Sequence, residues 1–362
     1  MIANLFIKIF KKAYLVAFLL IQILLLSCSS NTDAVSPPTP KPQLIALPSS
    51  IGIVGDTTNV NVPTTSGTVL MGGAYEVDIA MKWMINKSIG GDVVILRASG
   101  STGYNQYLYD LVKINNISQV NSVETLLINN TTLANNPKVA QRIKQAEMVF
   151  IAGGDQANYI NYWKNTLVED AINYLINTKK IPIGGTSAGC AIMGDAVFTA
   201  ENGTITSTEA LDNPYNSKLT LQKSLFLNNP FLTNTITDTH YNNPDRKGRH
   251  TAFLARLSKD FAVTNPKGIG VEEETAVCID QNGKAIVYGI GSAYFLLASS
   301  GEPETCANQT PLHWYKDKKA VKTYVIQGSL QGNGNFDLNN WTDVSGGIYK
   351  HMYSTNGLFT IE

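Results

Sequence analysis

A serine within a run of small residues is the clearest sign of chemistry in this chain. Ser187 lies in residues 184–189, directly after an apolar run that ends at Ile183. The pattern G-x-S-x-G between a strand and a helix is typical of a nucleophile elbow, whose small neighbours permit a strained backbone. Backbone N–H groups beyond such a serine stabilise an oxyanion by roughly 3–4 kcal/mol per donor. A tight packing turn is the alternative interpretation, and a phosphate-binding loop lacks its usual lysine.

A serine nucleophile needs a base, and the chain has four histidines. His240 ends a stretch of alternating apolar residues that begins at Phe231, and this alternation predicts a strand. His250 lies in a predicted helix, and His313 and His351 lie in a weakly patterned C-terminal part. His240 is therefore the best placed candidate base.

The third member of such a site is a carboxylate that orients the imidazole. Glu272, Glu273 and Glu274 stand between two apolar runs, where one carboxylate can point inward while its neighbours face water. Three weaker alternatives for the acid follow the serine in the chain: Asp195, Glu201 and Asp212.

Cys190 lies beside the serine, and we interpret it as a packing residue because no nearby His or Arg lowers the pKa of its thiol.

Short apolar runs alternate with helix-length stretches through the middle of the chain. This alternation predicts βαβ units around a buried parallel sheet, whose sites lie beyond the carboxyl ends of the strands. The predicted strands are 69–71, 92–96, 123–128, 148–151 and 180–183, and the predicted helices include 74–86, 104–114, 137–145 and 158–177. After residue 300 the pattern weakens, and we expect short strands and loops packed on the main domain.

The overall composition excludes several classes of partner. Lys plus Arg and Asp plus Glu both total 28 in 362 residues, so the formal net charge is zero and no general attraction to nucleic acid is expected. Hydrophobic residues make up 44% of the chain, which is enough for a sizeable core. Cys190, Cys278 and Cys306 form no metal-binding pair, and we interpret them as buried thiols without a disulfide framework.

The N-terminal segment is typical of an export signal. Basic residues precede an apolar run over residues 13–26, which is short for a membrane-spanning helix of ~20 residues. The run ends at Ser27-Cys28, which resembles the lipobox of bacterial lipoproteins, and residues 29–50 form a proline-rich tether. We therefore expect an exported bacterial lipoprotein, anchored through Cys28 to a membrane on the periplasmic or cell-surface side. A plain secretory signal is the alternative.

Four segments in this order resemble the cyanophycinase and aspartyl dipeptidase group, peptidase family S51. They are residues 153–156 (GGDQ), 184–189 (GGTSAG), 238–241 (DTHY) and 268–275 (GIGVEEET), and the resemblance covers roughly residues 65–300. It implies an α/β fold of the class I glutamine-amidotransferase type. This fold is a flavodoxin-like, mostly parallel sheet with helices on both faces, here followed by a β-rich C-terminal segment. Family members often form dimers, so a homodimer is one expectation.

The resemblance also implies a Ser-His-Glu triad and assigns roles to the residues around it. Ser187 would be the nucleophile, His240 the general base and Glu273 the orienting acid, with Glu272 or Glu274 as the alternative register. Gln156 and Asp238 would line the substrate pocket. The oxyanion donors would be the backbone N–H groups of Gly154 or Asp155 and of Ala188. No cofactor and no metal ion are implied.

One departure from the family pattern bears on the substrate. Cyanophycinase-like members carry R-D-R-x-G-R after the histidine, whereas residues 244–249 here read P-D-R-K-G-R. Pro244 cannot make the bidentate carboxylate contact of an arginine, which leaves Arg246 and Arg249 as candidate binders of an acidic group. We therefore expect hydrolysis of peptide or isopeptide bonds next to aspartate, with cyanophycin a less favoured substrate than isoaspartyl or aspartyl peptides.

Two other functions remain to be weighed. A non-catalytic binding lipoprotein could keep this fold without turnover, although all three triad residue types are present. A glutamine amidotransferase would need a cysteine where Ser187 stands, and Cys190 comes three residues too late. The expected domains are a signal peptide over residues 1–28, a tether over 29–50, an α/β peptidase domain over 51–300 and a β-rich extension over 301–362.

Overall fold

The computed structural model of this chain describes residues 47–223 and 226–362. The expected signal peptide, the expected lipidation site Cys28 and the first part of the expected tether lie outside the described residues. No helix within the two described ranges is long and apolar enough to span a membrane.

The strands and helices are numbered in chain order. The strands are β1 (Ser50–Gly55), β2 (Gly67–Met71), β3 (Asp92–Arg97), β4 (Ser122–Leu127), β5 (Met148–Ile151), β6 (Pro182–Thr186), β7 (Ala196–Phe198), β8 (Leu221–Lys223), β9 (Thr235–Asp238), β10 (Lys267–Val271), β11 (Thr275–Asp280), β12 (Lys284–Gly289), β13 (Ser292–Leu297), β14 (Val321–Gln327), β15 (Asn333–Asp337), β16 (Val344–Ser345), β17 (Ile348–Thr355) and β18 (Leu358–Ile361). The helices are α1 (Asp78–Ser88), α2 (Gly103–Leu111), α3 (Thr131–Ala134), α4 (Pro137–Gln145), α5 (Gln156–Trp163), α6 (Leu167–Tyr174), α7 (Ala188–Ala191), α8 (Ser207–Asp212) and α9 (Lys247–Phe261). A π-helical turn, Leu175–Lys179, extends α6.

The first sheet has the order β1-β4-β3-β5-β6-β2-β11-β12-β15-β16 within the described residues. Its five strands from β4 to β2 run parallel, and its other neighbours pair antiparallel. The expected mostly parallel sheet is thus a mixed one, because later strands extend the parallel part at β2. Both faces of the parallel strands are covered. Val93 and Ile95 of β3 pack in one cluster with α1 and α2, while Val94 and Leu96 pack in another with α4, α5 and α6.

The second sheet has the order β18-β17-β14-β13-β10-β9-β7-β8 in the described part of the chain. Strands β10, β9 and β7 run parallel, and the remaining neighbours pair antiparallel. One face carries α9, whose Phe253 and Leu257 pack with Ile236 and Leu296. The other face packs against the first sheet. There the ring of Phe295 on β13 stacks on Phe336 of β15 with their centroids 3.9 Å apart.

Several expectations for single elements can be compared with this fold. The helix expected over residues 137–145 has these bounds, and the five predicted strands correspond to β2–β6 with small shifts at their ends. The single helix expected over residues 158–177 is wrong, because the chain breaks between α5 and α6, where Asn165 has a left-handed φ of 59°. The strands after residue 300 join both sheets, and β14 lies between β13 and β17.

The stacked pair Phe295 and Phe336 joins the two sheets, and its removal gives a first prediction. Both rings are almost fully buried, so Phe336→Ala should lower the free energy of unfolding by about 3–5 kcal/mol through lost burial and a cavity. Leu358→Ala, at a side chain that is 75% exposed, is the control and should change it by less than about 0.5 kcal/mol. Urea unfolding followed by circular dichroism measures both. Equal effects of the two substitutions would contradict the described packing between the sheets.

Candidate active site

Ser187 lies at the sharp turn between β6 and α7. Its backbone has φ 51° and ψ −120°, a conformation that residues other than glycine rarely adopt. The close packing of the turn explains its flanking glycines. A Cβ on Gly185 would lie 2.5 Å from the backbone of Gly189, and a Cβ on Gly189 would lie 2.2 Å from the carbonyl oxygen of Ile151. The turn therefore has the geometry expected of a nucleophile elbow, with the serine side chain beyond the end of β6.

The Ser187 side chain is the first member of a hydrogen-bonded chain of three residues. Its Oγ lies 2.8 Å from Nε2 of His240, and Nδ1 of His240 lies 2.7 Å from Oε1 of Glu273. Because a carboxylate can only accept, Nδ1 carries the proton and Nε2 is left to accept the serine proton. The hydrogen bond from His240 lowers the pKa of Glu273 below its ordinary value, so this carboxylate is ionised at neutral pH.

The three adjacent glutamates have different surroundings, and only the middle one contacts His240 among the described residues. The carboxylate of Glu272 accepts from the N–H of Ser292 at 2.8 Å and from the hydroxyl of Tyr294 at 3.0 Å. Glu274 lines a separate surface cavity. The structure therefore brings Glu273, and neither neighbour, to the histidine.

The three alternative acids lie elsewhere. Asp195 accepts from the N–H of Asn234 at 2.8 Å and pairs with Lys223 at 3.4 Å. Glu201 and Asp212 are exposed.

The carboxyl end of β2 connects the three segments that carry these side chains. The carbonyl of Met71 accepts from the N–H of Ser187 at 3.1 Å, and the carbonyl of Gly72 accepts from the N–H of His240 at 2.8 Å. The carbonyl of Gly73 accepts from the N–H of Glu274 at 3.0 Å. Three successive carbonyl groups thus fix the backbone positions of the serine, the histidine and the glutamate turn.

A cavity of about 350 Å³ opens beside Ser187. The backbones of Gly154 and Asp155 follow β5, and Ala188 begins α7, where the first N–H groups have no partner within the helix. These three expected oxyanion residues line the cavity together with Ser187 and His240. A Cβ on the neighbouring Gly153 would lie 3.4 Å from Cβ of Ser187, which shows how closely the two loops approach.

Gln156 and Arg246, both expected to contact substrate, also line this cavity. The amide of Gln156 donates to the carbonyl of Phe198 at 3.4 Å, and Nη1 of Arg246 donates to the carbonyl of Thr239 at 3.0 Å. Nε of Arg246 is buried and has no hydrogen-bond partner among the described residues. Burial, together with the nearby positive charge of Arg249, lowers the pKa of Arg246.

The expectation that Asp238 lines the pocket is wrong. Its carboxylate is only 3% exposed and lies behind the cavity, where Arg249 donates from Nε to Oδ2 at 2.9 Å and from Nη2 to Oδ1 at 2.5 Å. Arg249 does line the cavity, as expected, but it is only 2% exposed. It also donates to Thr204 and to the carbonyl of Ile205, so its guanidinium is engaged within the fold.

Two asparagines that the sequence analysis missed contact the glutamate. Nδ2 of Asn243 donates to Oε2 of Glu273 at 3.3 Å, and Oδ1 of Asn242 accepts from the N–H of Glu273 at 3.0 Å. Their only signal in the sequence is that they follow the histidine within two and three residues. Gly72 and Gly73 directly follow the strand predicted over residues 69–71, and their contacts with the histidine segment were not expected.

Two further reactive side chains, Cys190 and His250, are buried and lie outside this chain of contacts. Burial raises the pKa of the Cys190 thiol, and burial lowers the pKa of His250 to about 4. The hydroxyl of Tyr241 lies 3.1 Å from Nδ1 of His250. No group of three or more His, Cys, Asp or Glu side chains in the described ranges is placed to hold a metal ion.

Comparisons with known proteins identify related sequences. The profile of peptidase family S51 matches residues 93–287, more than half of the chain, and this range contains Ser187, His240 and Glu273. A cyanophycinase of Trichormus variabilis is 27% identical over 191 residues, which cover 52% of this chain and 58% of that protein. A cyanophycinase of Synechococcus elongatus is 26% identical over 174 residues, 48% of each chain. The chain thus spans about half the length of these relatives.

One solved structure that is similar to this chain is a peptidase from an acI-B1 actinobacterium. It is 15% identical, with a TM-score of 0.45, and the match covers 64% of this chain and 91% of that one.

The contact between Gly73 and the histidine ring gives a prediction. A Cβ at this position would lie 2.5 Å from both Cε1 and Nε2 of His240. Gly73→Ala should therefore displace the ring and lower kcat/KM by about 100-fold or more. Because Gly73 has a φ of +102°, the matched control is Gly301→Ala, where φ is +87° but no atom lies within 4 Å of the added Cβ. Equal kcat/KM values in both variants would contradict the described position of the ring.

The buried pair of Arg249 and Asp238 gives a prediction on pH and stability. Burial alone would raise the pKa of Asp238, but the charge and hydrogen bonds of Arg249 outweigh burial and hold this pKa below its ordinary value. In Arg249→Met the pKa of Asp238 should rise, and the free energy of unfolding at pH 7 should fall by about 3–5 kcal/mol. As the pH falls, Asp238 then takes up a proton in the native variant before it does so in the unfolded chain. The difference in the free energy of unfolding between the wild type and the variant should therefore shrink as the pH falls toward about 4.

Urea unfolding of the wild type and of Arg249→Met at several pH values measures this difference. Lys259→Met is the control on the same helix. Lys259 pairs with Glu302 at 3.4 Å with both side chains at least half exposed, and such pairs contribute at most about 1 kcal/mol. If the difference in the free energy of unfolding between the wild type and Arg249→Met stays constant or grows at low pH, Asp238 is not the group left unpaired.

Proposed function

The chain belongs to peptidase family S51, and we propose that it is a serine peptidase that hydrolyses peptide or isopeptide bonds next to aspartate. The observation that carries the proposal is the pair of hydrogen bonds from Ser187 to His240 and from His240 to Glu273, at 2.8 and 2.7 Å. These three residue types in this order of contact are those of a serine hydrolase.

In the proposed reaction, Oγ of Ser187 attacks the carbonyl carbon of the scissile bond while Nε2 of His240 accepts the serine proton. The imidazolium then donates this proton to the leaving amine, and the C–N bond breaks to leave an acyl-enzyme on Ser187. A water molecule, deprotonated by His240, attacks the acyl group and releases the acid and the free serine. Glu273 stays ionised throughout and stabilises the imidazolium through Nδ1.

The oxyanion that forms at the carbonyl oxygen needs donors on the side of Ser187 away from the histidine. The N–H of Ala188 at the start of α7 is one candidate, and the N–H of Gly154 or Asp155 after β5 is the other. Support comes from their position around the cavity beside Ser187 and from the free N–H groups of a helix start.

We assign the preference for substrates with an acidic residue to Arg246. Arg246 lines the cavity, so its positive charge can attract a substrate carboxylate there. Gln156 would supply a neutral hydrogen-bonding group on the same wall. Pro244, which replaces an arginine of the family pattern, makes an isoaspartyl or aspartyl peptide a better candidate than cyanophycin.

Two further parts of the proposal concern fold and location. In a flavodoxin-like sheet, strands numbered along the chain lie side by side in the order 2-1-3-4-5. Here β4, β3, β5 and β6 lie side by side in the order 2-1-3-4, and β2 takes the place of the fifth strand. This order supports a variant of the class I glutamine-amidotransferase fold. Export and anchoring through a lipid on Cys28 rest on the sequence of residues 1–28 alone.

The direct test is hydrolysis of β-aspartyl peptides, α-aspartyl peptides and cyanophycin by the protein from residue 29 onward. Ser187→Ala is the matched variant, because it removes one oxygen from the site. We expect release of product from at least one aspartyl substrate and a loss of at least about 1,000-fold in kcat with Ser187→Ala. No turnover of any substrate, or equal turnover by both proteins, would contradict the proposal and favour a non-catalytic binding protein.

A further inference from the structure

The carboxylate of Glu273 is held at both of its oxygens. Nδ1 of His240 lies 2.7 Å from Oε1, and Nδ2 of Asn243 donates to Oε2 at 3.3 Å. The side chain of Glu273 is 22% exposed, so packing against neighbouring side chains does not by itself fix its rotation. Its orientation therefore depends on these two contacts rather than on close packing.

The backbone of the same glutamate is held by the preceding asparagine. Oδ1 of Asn242 accepts from the N–H of Glu273 at 3.0 Å, and the hydroxyl of Thr275 donates to the carbonyl of Glu273 at 3.0 Å. The backbone of the turn between β10 and β11 is thus held by hydrogen bonds. The carboxylate at the end of the Glu273 side chain can still rotate unless another contact holds it.

We propose that Asn243 is a positioning residue, which holds the Glu273 carboxylate in the rotation that aligns Oε1 with Nδ1 of His240. This role rests on the proposed function. Asn242 supports it by holding the turn on which Glu273 lies.

The physical reason lies in the torsion that ends a glutamate side chain. Rotation about this bond has broad, shallow preferences, and a hydrogen bond weakens steeply when its angle falls below about 120°. Without the Asn243 donor, the carboxylate can turn Oε1 away from Nδ1. The imidazolium forms only during the reaction, so the loss appears in kcat, while substrate binding at the Arg246 wall is unchanged.

Other charged groups around Glu273 do not replace this donor. The positive charge of Arg246 lowers the pKa of Glu273, but no hydrogen bond joins the two side chains in the described residues. Glu272 is turned toward Ser292 and Tyr294, and Glu274 lines another cavity. Asn243 is therefore the neutral group that can fix Oε2.

Two substitutions of similar size test the proposal. Asn243→Leu removes the donor, and we expect kcat to fall about tenfold while KM changes by less than about twofold. Asn243→Asp replaces the donor with an acceptor that repels Oε2, and we expect kcat to fall at least as far as in Asn243→Leu, with KM again little changed. Asn308→Leu, at an exposed asparagine in the loop after β13, is the control and should change neither quantity.

A readout without substrate separates this proposal from the proposed function. NMR of the wild type should show the proton shared by His240 and Glu273 as a far-downfield resonance that broadens in Asn243→Leu. The buried His250, whose Nδ1 lies 3.1 Å from the hydroxyl of Tyr241, serves as an internal reference. A wild-type resonance in Asn243→Leu, a wild-type kcat in Asn243→Asp, or a loss confined to KM would overturn the proposal. These NMR results decide it even if no substrate is turned over.

Discussion

The arrangement of this site depends on three successive carbonyl groups at the carboxyl end of β2. Met71, Gly72 and Gly73 accept from the backbone N–H groups of Ser187, His240 and Glu274. Backbone hydrogen bonds fix positions more tightly than long side chains do, because they constrain the main chain itself. One strand end thus sets the spacing of Ser187, His240 and the glutamate turn, which come from three different connections. It also explains why glycines stand there, since a Cβ on Gly72 would lie 1.8 Å from the carbonyl oxygen of Glu272.

The three hydrogen-bonded residues also divide between the two sheets. Ser187 follows β6 in the first sheet, whereas His240 follows β9 and Glu273 follows β10 in the second. The distance between serine and histidine therefore depends on how the sheets pack, and this packing is apolar. Phe295, Phe336 and Trp341 form the aromatic part of the contact. The strands after residue 300 contribute to the site by holding the sheets together, although they supply none of its three side chains.

Much of the parallel sheet could be predicted from the sequence, because its strands are short apolar runs with glycines at their ends. The elbow around Ser187 was visible for the same reason. His240 and Glu273 are 33 residues apart and could be paired only through the resemblance to a family. Hydrophobic periodicity and secondary-structure propensity carry no information about which distant residues are in contact. Asp238 was misplaced because the sequence does not show that Arg249 takes both of its oxygens. Hydrogen bonds between residues that are distant in the sequence leave no local pattern. The contacts of Asn242, of Asn243 and of the carbonyl groups at the end of β2 could therefore not be predicted.

The central claim is that His240 activates Ser187 as a nucleophile. Its most direct measurement is the rate and site of covalent labelling by a phosphonofluoridate, followed by peptide mapping with mass spectrometry. The account predicts one adduct on Ser187 and a labelling rate at least about 100-fold lower in His240→Gln, because general base catalysis by the imidazole is lost. Labelling that is absent from Ser187, or that proceeds equally fast in His240→Gln, would contradict the account.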